Sequence, residues 1–493
     1  MKRVEKMEIL DQIKQNSIHR AEQIAIVCGE DTISYRELHD RIEYLSYIIE
    51  QKLPHSNEAI AIISERSIEF IIGMLAVLNT GNYYIPIEKP IPEDRVNYIL
   101  TNSRVKIVLS DCDDCFENII NINIKTIFEN SEMISYCSSK KDMTRIAYAI
   151  YTSGTTGKPK GAKIRYESLC NLIKALGTIF GEESQYSNVA VVASFSFDSS
   201  IKQIYGSLYY GRRLIIAQKK DKIIGRKLVS FFERNNVELT DITPSYLEII
   251  MSSKRIPCVK RYLVGGEKVK STLVKQFTEY IADYLDISLF NMYGPTECCV
   301  DVAVHEIDFD NDLKDTYVPV GKALENVELE IYNHSGIVKN NSVQGELYVF
   351  GIQVGDGYIE DVKENANFIN LNGRKCYKTG DIAFYNENGN IVVLGRQDEQ
   401  IKIHGNRVEL GEIESAINSI IGADKSCVIF DENKQKIICF LTQNVNRKDI
   451  VAELKNIVPA YMCPQKYIEV QELPITTSGK IDKKGLYDYY ITI

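Results

Sequence analysis

One short loop constrains this chain of 493 residues more than any other feature. It reads Tyr151-Thr-Ser-Gly-Thr-Thr-Gly-Lys-Pro-Lys-Gly161 and follows a run, Ile146–Ile150, with the composition of a buried strand. Small residues let the backbone approach a polyanion, hydroxyl and N–H groups donate hydrogen bonds to it, and lysines offset its charge. The pattern predicts a phosphate-binding loop, with a flexible surface turn as the alternative. It is not a Walker A loop, because Lys158 is followed by Pro159 and not by Ser or Thr.

Around this loop, β-rich runs alternate with helix-like runs. This alternation predicts an α/β fold with mostly parallel sheets. The strand–helix pairs are Ala59–Ile63 with Ile68–Leu78, Val189–Ala193 with Ser200–Tyr209, Leu239–Ile242 with Tyr246–Ser252, and Tyr262–Val264 with Leu273–Tyr284.

The character of the chain changes near residue 397. Glycine-rich, β-leaning segments come before it and predict a β-rich subdomain at the end of a large N-terminal domain, residues 1–397. A hinge at Gln397-Asp398 and a small, mobile α+β C-terminal domain, residues 398–493, are predicted to follow. The family resemblance described below contributes to this boundary. The predicted elements of the small domain are Glu412–Ile420 and Lys448–Ile457 as helices and Val428–Phe430 and Ile437–Leu441 as strands.

Composition excludes several functional classes. The net charge of -9 argues against a nucleic-acid surface. No apolar run approaches the roughly 18 residues that span a bilayer, and the charged N-terminus lacks the apolar centre of a signal peptide, so we expect a cytoplasmic protein without membrane contact. The twelve cysteines are scattered, and one CxxC, Cys112 to Cys115, has no histidine cluster near it that would predict a metal site.

Further motifs lie along the chain on both sides of the loop. Together they resemble the adenylate-forming superfamily of acyl-CoA synthetases, luciferases and the adenylation domains of nonribosomal peptide synthetases, and the peptide-synthetase branch fits best. They occur in family order and cover nearly the whole chain. They are Asn291-Met-Tyr-Gly-Pro-Thr-Glu297, Tyr377-Lys-Thr-Gly-Asp381, Gly395–Gly405 followed by Arg407–Glu414, and Pro474-Ile-Thr-Thr-Ser-Gly-Lys480, with weaker matches at Ile33–Leu38, Gly81–Pro86 and Val458–Pro464.

The resemblance implies an ATP site that contains magnesium. Thr155 and the catalytic Thr156 would hold phosphates, and Tyr293 would stack on adenine while Asn291 bonds its edge. Glu297 would bind Mg²⁺, a hard cation that needs oxygen ligands. Taken singly, such residues are also common in turns and on solvated surfaces. The remaining implied ATP-binding residues are Thr152, Ser153, Gly154, Gly157, Lys160, Gly266, Gly294, Thr296, the ribose-binding Asp381 with Arg396 nearby, and Lys402.

The implied reaction has two steps. A substrate carboxylate attacks the α-phosphorus of ATP and pyrophosphate leaves, after which a thiol attacks the adenylate and AMP leaves. Two anions meet in the first step, so positive charge at the reacting centre is the main need, and Lys480 with the metal would supply it. Asp398 matches the family's hinge residue, about which the small domain turns between the steps.

The resemblance also implies a substrate pocket. Asp198 matches the residue that holds an α-ammonium group, which separates amino-acid activators from fatty-acid activators; a helix N-cap is the plain alternative, and both can hold together. Placed by motif, the ten pocket positions are Asp198, Ser199, Lys202, Asp241, Leu263, Gly265, Met292, Val300, Asp301 and Lys480.

Two interpretations of the pocket remain open. Lys202 lies four residues after Asp198, so both side chains would share a helix face and suit a zwitterion with an anionic side chain, with Asp241 orienting the ammonium. The whole pattern is similar to the family's glutamate pattern, from which a glutamine pattern differs mainly by Gln at the position of Lys202. Alternatively, Asp241 and Asp301 select lysine, ornithine or arginine. The repulsion between Lys202 and a second cation argues against this alternative.

The thiol acceptor is expected to be a separate molecule. The chain ends thirteen residues after Lys480, and no segment resembles a carrier domain. We therefore expect a phosphopantetheinylated carrier protein as a partner in trans. The alternatives are ligation of alanine to a wall-polymer carrier, an acyl-CoA synthetase-like ligase, and a non-catalytic homologue.

Lys480 gives the first testable prediction. Lys480→Ala should slow adenylate formation at least ~100-fold, the scale of losing one electrostatic stabiliser of a transition state. Thioester formation from preformed adenylate should be largely spared. Single-turnover measurements of the two half-reactions test this, and an equal loss in both would indicate a structural lysine.

Overall fold

The computed structural model describes residues 8–112, 116, 118–128, 142, 145–154, 158–181, 187–222, 225–282, 286–314, 316–360, 363–398, 400–403, 405–422, 425–432, 434–442, 447–475 and 481–492. Contacts between Cα atoms divide the chain into two compact units. The first unit consists of Met1–Lys89, Ser103–Ile150 and Gly161–Gln397. The second unit consists of Pro90–Asn102, Tyr151–Lys160 and Asp398–Ile493.

Strands and helices alternate in much of the first unit as far as residue 280 and in much of the second unit. Beyond residue 280, the described residues of the first unit form strands without an α-helix between them. The strands are β1 Ile24–Cys28, β2 Asp31–Ser34, β3 Ala59–Ser64, β4 Tyr83–Glu88, β5 Ile107–Ser110, β6 Ile120–Asn123, β7 Ile146–Thr152, β8 Lys160–Arg165, β9 Asn188–Val191, β10 Arg213–Ile216, β11 Leu239–Ile242, β12 Arg261–Gly265, β13 Ser288–Tyr293, β14 Ala303–Glu306, β15 Lys322–Ala323, β16 Val327–Asn333, β17 Gly336–Ile337, β18 Gly345–Gly351, β19 Phe368–Leu371, β20 Arg374–Tyr385, β21 Ile391–Arg396, β22 Gln400–Ile403, β23 Asn406–Glu409, β24 Ser426–Asp431, β25 Lys436–Thr442 and β26 Lys466–Val470. The α-helices are α1 Ile9–His19, α2 Tyr35–Lys52, α3 Ile68–Asn79, α4 Glu93–Asn102, α5 Tyr166–Ala175, α6 Gly177–Phe180, α7 Ser199–Tyr209, α8 Lys219–Lys222, α9 Gly225–Arg234, α10 Pro244–Ser252, α11 Ser271–Tyr280, α12 Leu410–Ile421, α13 Arg447–Ile457 and α14 Lys483–Thr492.

A nine-stranded sheet positions most of the predicted pocket. Its order is β15-β14-β13-β12-β11-β9-β10-β1-β2, and the strands from β13 to β1 in this order are parallel. Side chains alternate between its faces with the period of two that a strand imposes. On β12, Tyr262 and Val264 pack in one apolar core, while Leu263 packs in the other. The sheet is thus covered on both faces, as parallel sheets are, which confirms the predicted α/β class.

A second sheet has the order β6-β5-β3-β4-β7-β8. Beside it, α3 is buried along its whole length, because nearly every one of its residues is apolar. This helix contains the apolar run of residues 71–78. Among the described residues, no helix combines the length and the apolar character that crossing a membrane requires.

The β-rich part of the first unit is a third sheet with the order β17-β16-β18-β20-β19, in which β21 also pairs with β20. All its pairings are antiparallel. The register of β20 and β21 sets Asp381 opposite Arg396. The predicted β-rich subdomain is therefore present, and it supplies the residues of the implied ribose motif.

The second unit contains a β22–β23 hairpin, a sheet in the order β24-β25-β26, and the helices α12, α13 and α14. It also includes α4, which packs on α13. Arg95 of α4 forms a buried ion pair with Glu412 of α12 at 2.7 Å. The division into a core of residues 1–397 and a mobile domain of residues 398–493 stays a prediction.

The predicted element boundaries agree with the structure to within a few residues, with one correction. The helix expected over residues 273–284 runs from Ser271 and ends at Tyr280. Periodicity does not reveal where a helix ends when no glycine or proline marks the position. Cys115 of the CxxC pair lies outside the described residues, and Cys298 and Cys299 are fully buried.

Candidate functional site

Most predicted pocket residues lie near the carboxyl ends of four adjacent parallel strands, β9, β11, β12 and β13. Asp241 is in β11, paired in register with Leu263 of β12, and Gly265 of β12 is paired with Met292 of β13. Asp198 and Ser199 come after β9, at the start of α7. Ligands of open α/β sheets bind outside this edge, so the topology favours a small-molecule site here.

Three ionisable side chains form a buried cluster at this edge. Lys202 of α7 donates a hydrogen bond to Asp301 Oδ2 at 2.8 Å and forms an ion pair with Asp241 Oδ2 at 2.9 Å. The side chains are 3% exposed for Lys202 and 5% for each aspartate. An ammonium has three N–H donors, so the third has no partner among the described residues. The sequence predicted the pairing with Asp241, and the structure adds Asp301 to it.

The cluster is unbalanced by one charge when both aspartates are ionised. Burial, opposed by Lys202 and reinforced by Asp301, raises the pKa of Asp241 to about 6. The two carboxylates hold the pKa of Lys202 above its usual range despite burial. Because the folded-state pKa of Asp241 lies above its unfolded value, its contribution to stability is present at low pH and is lost as pH rises from about 4 through about 6.

A strained turn brings Asp301 into the cluster. Cys299 and Val300 have φ angles of 57° and 71°. Such angles are rare without glycine, and a β-branched residue there is a genuine outlier that costs on the order of 1–3 kcal/mol. The turn packs so closely that a Cβ added to Gly294 would lie 2.2 Å from the carbonyl oxygen of Val300. The glycine of the Asn-Met-Tyr-Gly motif is thus needed for this approach.

Asp198 is half-buried and directly precedes α7, at the N-cap position. Its side chain makes no capping hydrogen bond. The predicted N-cap position is therefore correct, but the side chain does not cap the helix, because the residue has helical dihedral angles, φ -61° and ψ -31°, where a capping residue is extended. Asp198 follows β9 at the carboxyl edge of the sheet, and the helix face that it would share with Lys202 stays a prediction.

The residues implied to bind adenine and ribose lie together in the first unit. Tyr293 of β13 donates its phenolic hydrogen to Asp381 Oδ2 at 2.5 Å. Arg396 donates to the carbonyl of Thr379 at 2.8 Å and approaches Asp381 Oδ1 at 3.4 Å. A Cβ at Gly380, where φ is +74°, would lie 2.8 Å from the Arg396 guanidinium. The sequence therefore places a glycine where arginine approaches the backbone.

Glu297 is fully buried in a short 3-10 turn, Thr296–Cys298. Tyr358 donates its hydroxyl hydrogen to Glu297 Oε1 at 2.5 Å. Asn291, also buried, donates its amide to the carbonyls of Val318 and Pro319 at 3.1 and 2.9 Å. Gly266, with φ +79°, directly follows β12. The contacts of these residues with the nucleotide and the metal stay a prediction.

The other predicted residues belong to the second unit. Ser153 donates to the carbonyl of Arg407 at 3.0 Å, Thr152 and Lys160 are buried, and a Cβ at Gly154 would meet Lys158 O at 2.1 Å. Lys402 is exposed on β22. Asp398 Oδ1 accepts from the N–H of Gln400 at 3.3 Å, a local turn bond at the predicted hinge. Thr155, Thr156, Gly157 and Lys480 lie outside the described residues.

Two contact residues escaped the sequence analysis. Tyr358 is 61 residues from its partner Glu297 and lies in none of the motifs. Gln203 is fully buried and donates to Asp241 Oδ2 at 3.3 Å. Its position next to Lys202 gave no signal, because adjacent residues of a helix point in different directions.

Comparison with known proteins identifies the class. The family profile described as AMP-binding enzyme matches residues 14–359, and the profile described as AMP-binding enzyme C-terminal domain matches residues 412–480. The chain belongs to the AMP-binding enzyme family, which confirms the resemblance that the motifs carried.

Individual relatives are consistent with this family. Surfactin synthase subunit 1 of Bacillus subtilis (strain 168) is 33% identical over 483 residues, 94% of this chain but 13% of that protein. The chain thus spans a small part of the curated relatives that it matches first. Two solved structures share the fold: NpsA-ThdA, an artificially fused adenylation–PCP di-domain NRPS from Klebsiella oxytoca, with TM-score 0.81, 24% identity and 94% of both chains covered, and the Vibrio cholerae adenylation domain AlmE in complex with glycyl-adenosine-5'-phosphate, with TM-score 0.83, 21% identity and coverage of 98% of this chain and 97% of that one.

The Lys202 cluster gives a prediction about stability. Lys202→Met leaves two buried carboxylates without their counter-ion and should lower the free energy of unfolding of the first unit by roughly 3–5 kcal/mol at pH 8. The loss should shrink as the pH falls, because a proton on one carboxyl removes the repulsion. Urea unfolding followed by tyrosine fluorescence measures it, since the chain has 30 tyrosines and no tryptophan.

The matched control is Lys260→Met. Lys260 pairs with Asp286 at 3.3 Å, but the two side chains are 37% and 77% exposed. Exposed pairs contribute under about 1 kcal/mol, so this variant should unfold almost as wild type does. Similar losses in the two variants would show that the buried cluster has no special energetic role.

Proposed function

We propose that this protein activates an amino acid with ATP as its aminoacyl adenylate, with L-glutamate as the substrate, and transfers the aminoacyl group to the phosphopantetheine thiol of a separate carrier protein. In the first step the substrate carboxylate attacks the α-phosphorus, and pyrophosphate leaves. In the second step the thiol attacks the adenylate carbonyl, and AMP leaves.

The observation that carries the proposal is the charge at the two ends of the predicted pocket. Asp198 supplies a carboxylate for an α-ammonium group, and Lys202, four residues along the same helix, has an ammonium donor that no described residue occupies. A zwitterion with an anionic side chain complements both ends. An extended glutamate side chain presents its carboxylate away from the α-carbon, as the separation between Asp198 and Lys202 requires.

The basic-substrate alternative is weaker for an electrostatic reason. Lys202 lies within 2.9 Å of Asp241 and 2.8 Å of Asp301, so the two acids share one cation. A second ammonium beside Lys202, at ~4 Å, costs about 4 kcal/mol at an effective dielectric near 20. This repulsion opposes the attraction that the two acids would exert on a substrate lysine or ornithine.

ATP and Mg²⁺ fit the residues present. Glu297 offers a buried carboxylate oxygen. Among the described residues, no group of three or more ligating side chains could hold a metal without other ligands. Mg²⁺ typically uses one or two carboxylates with substrate phosphates and waters, so Glu297 alone suffices on the protein side. The metal would neutralise the leaving pyrophosphate. Asp381 and Arg396 would bind the ribose, and Lys480 would stabilise the charge at the reacting centre.

The transfer step rests on family likeness. Its thiol acceptor is proposed because NpsA-ThdA joins an adenylation domain to a PCP domain. Motion about Asp398 between the steps is part of the proposal, as is the place of the protein in the cytoplasm. Alanine, another amino acid or a different carboxylic acid are the alternatives for the substrate.

Pyrophosphate exchange tests the reaction. The purified protein should incorporate labelled pyrophosphate into ATP when Mg²⁺ and glutamate are present, and the other amino acids should support less exchange. Exchange with fatty acids and with no amino acid would overturn the role of Asp198. Absence of exchange with any acid would favour a non-catalytic homologue.

Lys202→Gln tests the choice of substrate. The variant keeps a hydrogen-bond donor and loses the charge, so it should favour the glutamine amide over the glutamate carboxylate. The ratio of kcat/KM for glutamate to that for glutamine should shift by more than ~10-fold toward glutamine, or about 1.4 kcal/mol. An unchanged ratio would place Lys202 outside the pocket, and a wild-type preference for lysine, ornithine or arginine would contradict glutamate.

A further inference from the structure

Asp241 has a second carboxylate oxygen that its neighbours leave unused. Lys202 and Gln203 both reach the same atom, Oδ2, at 2.9 and 3.3 Å. No described residue makes a hydrogen bond to Oδ1. Gln203 is fixed in turn, because it donates to the carbonyl of Ser199 at 3.1 Å and accepts from the N–H of Val192 at 3.2 Å. The carboxyl group is thus held in one orientation with one oxygen open to a proton.

The surroundings of Asp241 set the charge it experiences. From α7 it faces Lys202 and Gln203, and from the turn after β13 it faces Asp301. Its strand-register partners are apolar, Val191 on β9 and Leu263 on β12. Within the described residues, these give one cation and one anion beside the carboxyl. Burial and Asp301 outweigh Lys202 and raise the pKa of Asp241 to about 6.

A substrate carboxylate adds a third anion to the cluster. If it takes the remaining donor of Lys202, three carboxylates surround one ammonium in a site from which water is largely excluded. Each added anion favours the protonated form of a neighbouring carboxyl group. Asp241 has the open oxygen, and its proton affinity is already increased, so it is the member of the cluster that relieves the repulsion.

We propose that Asp241 takes up one proton from solvent when glutamate binds, so that the enzyme's preference for glutamate over glutamine is set by pH. The inference rests on the proposed function, because it needs the glutamate side chain at Lys202. Asp241 acts through Lys202 and is a positioning residue. The reciprocal effect follows from linkage: if glutamate raises the proton affinity of Asp241, a proton on Asp241 raises the affinity for glutamate by the same factor.

The sign of the pH dependence is fixed by this coupling. Between the pKa of Asp241 in the free enzyme and its higher value in the complex, glutamate affinity falls about tenfold per pH unit as pH rises. Glutamine has the same shape and no side-chain charge, so it couples weakly. The ratio of the two kcat/KM values cancels the titration of ATP, of the α-ammonium group and of the catalytic lysine, which are common to both substrates.

The experiment measures this ratio by pyrophosphate exchange with the full chain at several pH values. In wild type, the glutamate-to-glutamine ratio should fall at least ~10-fold between about pH 6.5 and pH 8.5. Asp241→Asn, which is nearly isosteric and cannot titrate, should give a ratio that no longer depends on pH. At pH 8.5 that ratio should exceed the wild-type ratio by ~10-fold, because one anion has been removed.

Asp301→Asn is the matched control. It removes the same charge from the same cluster and leaves Asp241 able to titrate. The ratio should therefore still fall with pH, over a range displaced to lower pH because Asp301 no longer raises the pKa of Asp241. A slope that persists in Asp241→Asn and disappears in Asp301→Asn would assign the proton to Asp301 and overturn the inference. A general structural defect would lower both substrates equally and leave the slope in place.

Calorimetry provides a measurement on the unaltered enzyme. Binding of glutamate in buffers of different ionisation enthalpy should report an uptake approaching one proton near pH 7, and binding of glutamine should report much less. No uptake with glutamate, or a flat wild-type ratio in an enzyme that activates glutamate, would overturn the inference alone. An enzyme that activates neither substrate would overturn the glutamate assignment together with it.

Discussion

The edge of the nine-stranded sheet that carries the predicted pocket depends on the burial of one lysine. Lys202 is almost completely removed from water, and an ammonium there is tolerated only when anions surround it. Its two carboxylates come from different elements, Asp241 from β11 and Asp301 from the turn after β13. α7, β11 and this turn must therefore be in register before the charge can be buried. A pocket built in this way is rigid, since moving any one element leaves a charge without its partner.

The parallel sheet explains why these groups meet. In such a sheet the carboxyl ends of all strands lie at one edge, so residues distant in sequence become neighbours. A central parallel strand is apolar on both faces, and Asp241 in the short β11 departs from this pattern. The departure is stabilised by Lys202 and by the amide of Gln203. The fold itself does not require a buried acid in a central strand, so Asp241 indicates the position of the predicted site.

Much of this organisation could be predicted from the sequence, and the rest has definite physical reasons. Alternating β-rich and helical runs predicted the parallel α/β class, because side chains repeat with different periods in strands and in helices. The ribose motif predicted that Asp381 and Arg396 are close, and the register of β20 and β21 sets them opposite each other. The end of α11 at Tyr280 was predicted too late, since no glycine or proline marks it.

The share of Asp301 in the cluster was missed for a conformational reason. The sequence suggested Asp301, together with Asp241, as one of two acids that could select a basic substrate. The structure makes it a partner of Lys202, because Cys299 and Val300 adopt left-handed angles that neither residue type signals. Tyr358 is a similar case, since only the folded chain brings it to Glu297. Glutamate and glutamine have the same shape, so sterics cannot separate them and selectivity between them must be electrostatic. For the proposed glutamate substrate, the strained turn serves this selectivity, because it fixes the number and position of the charges.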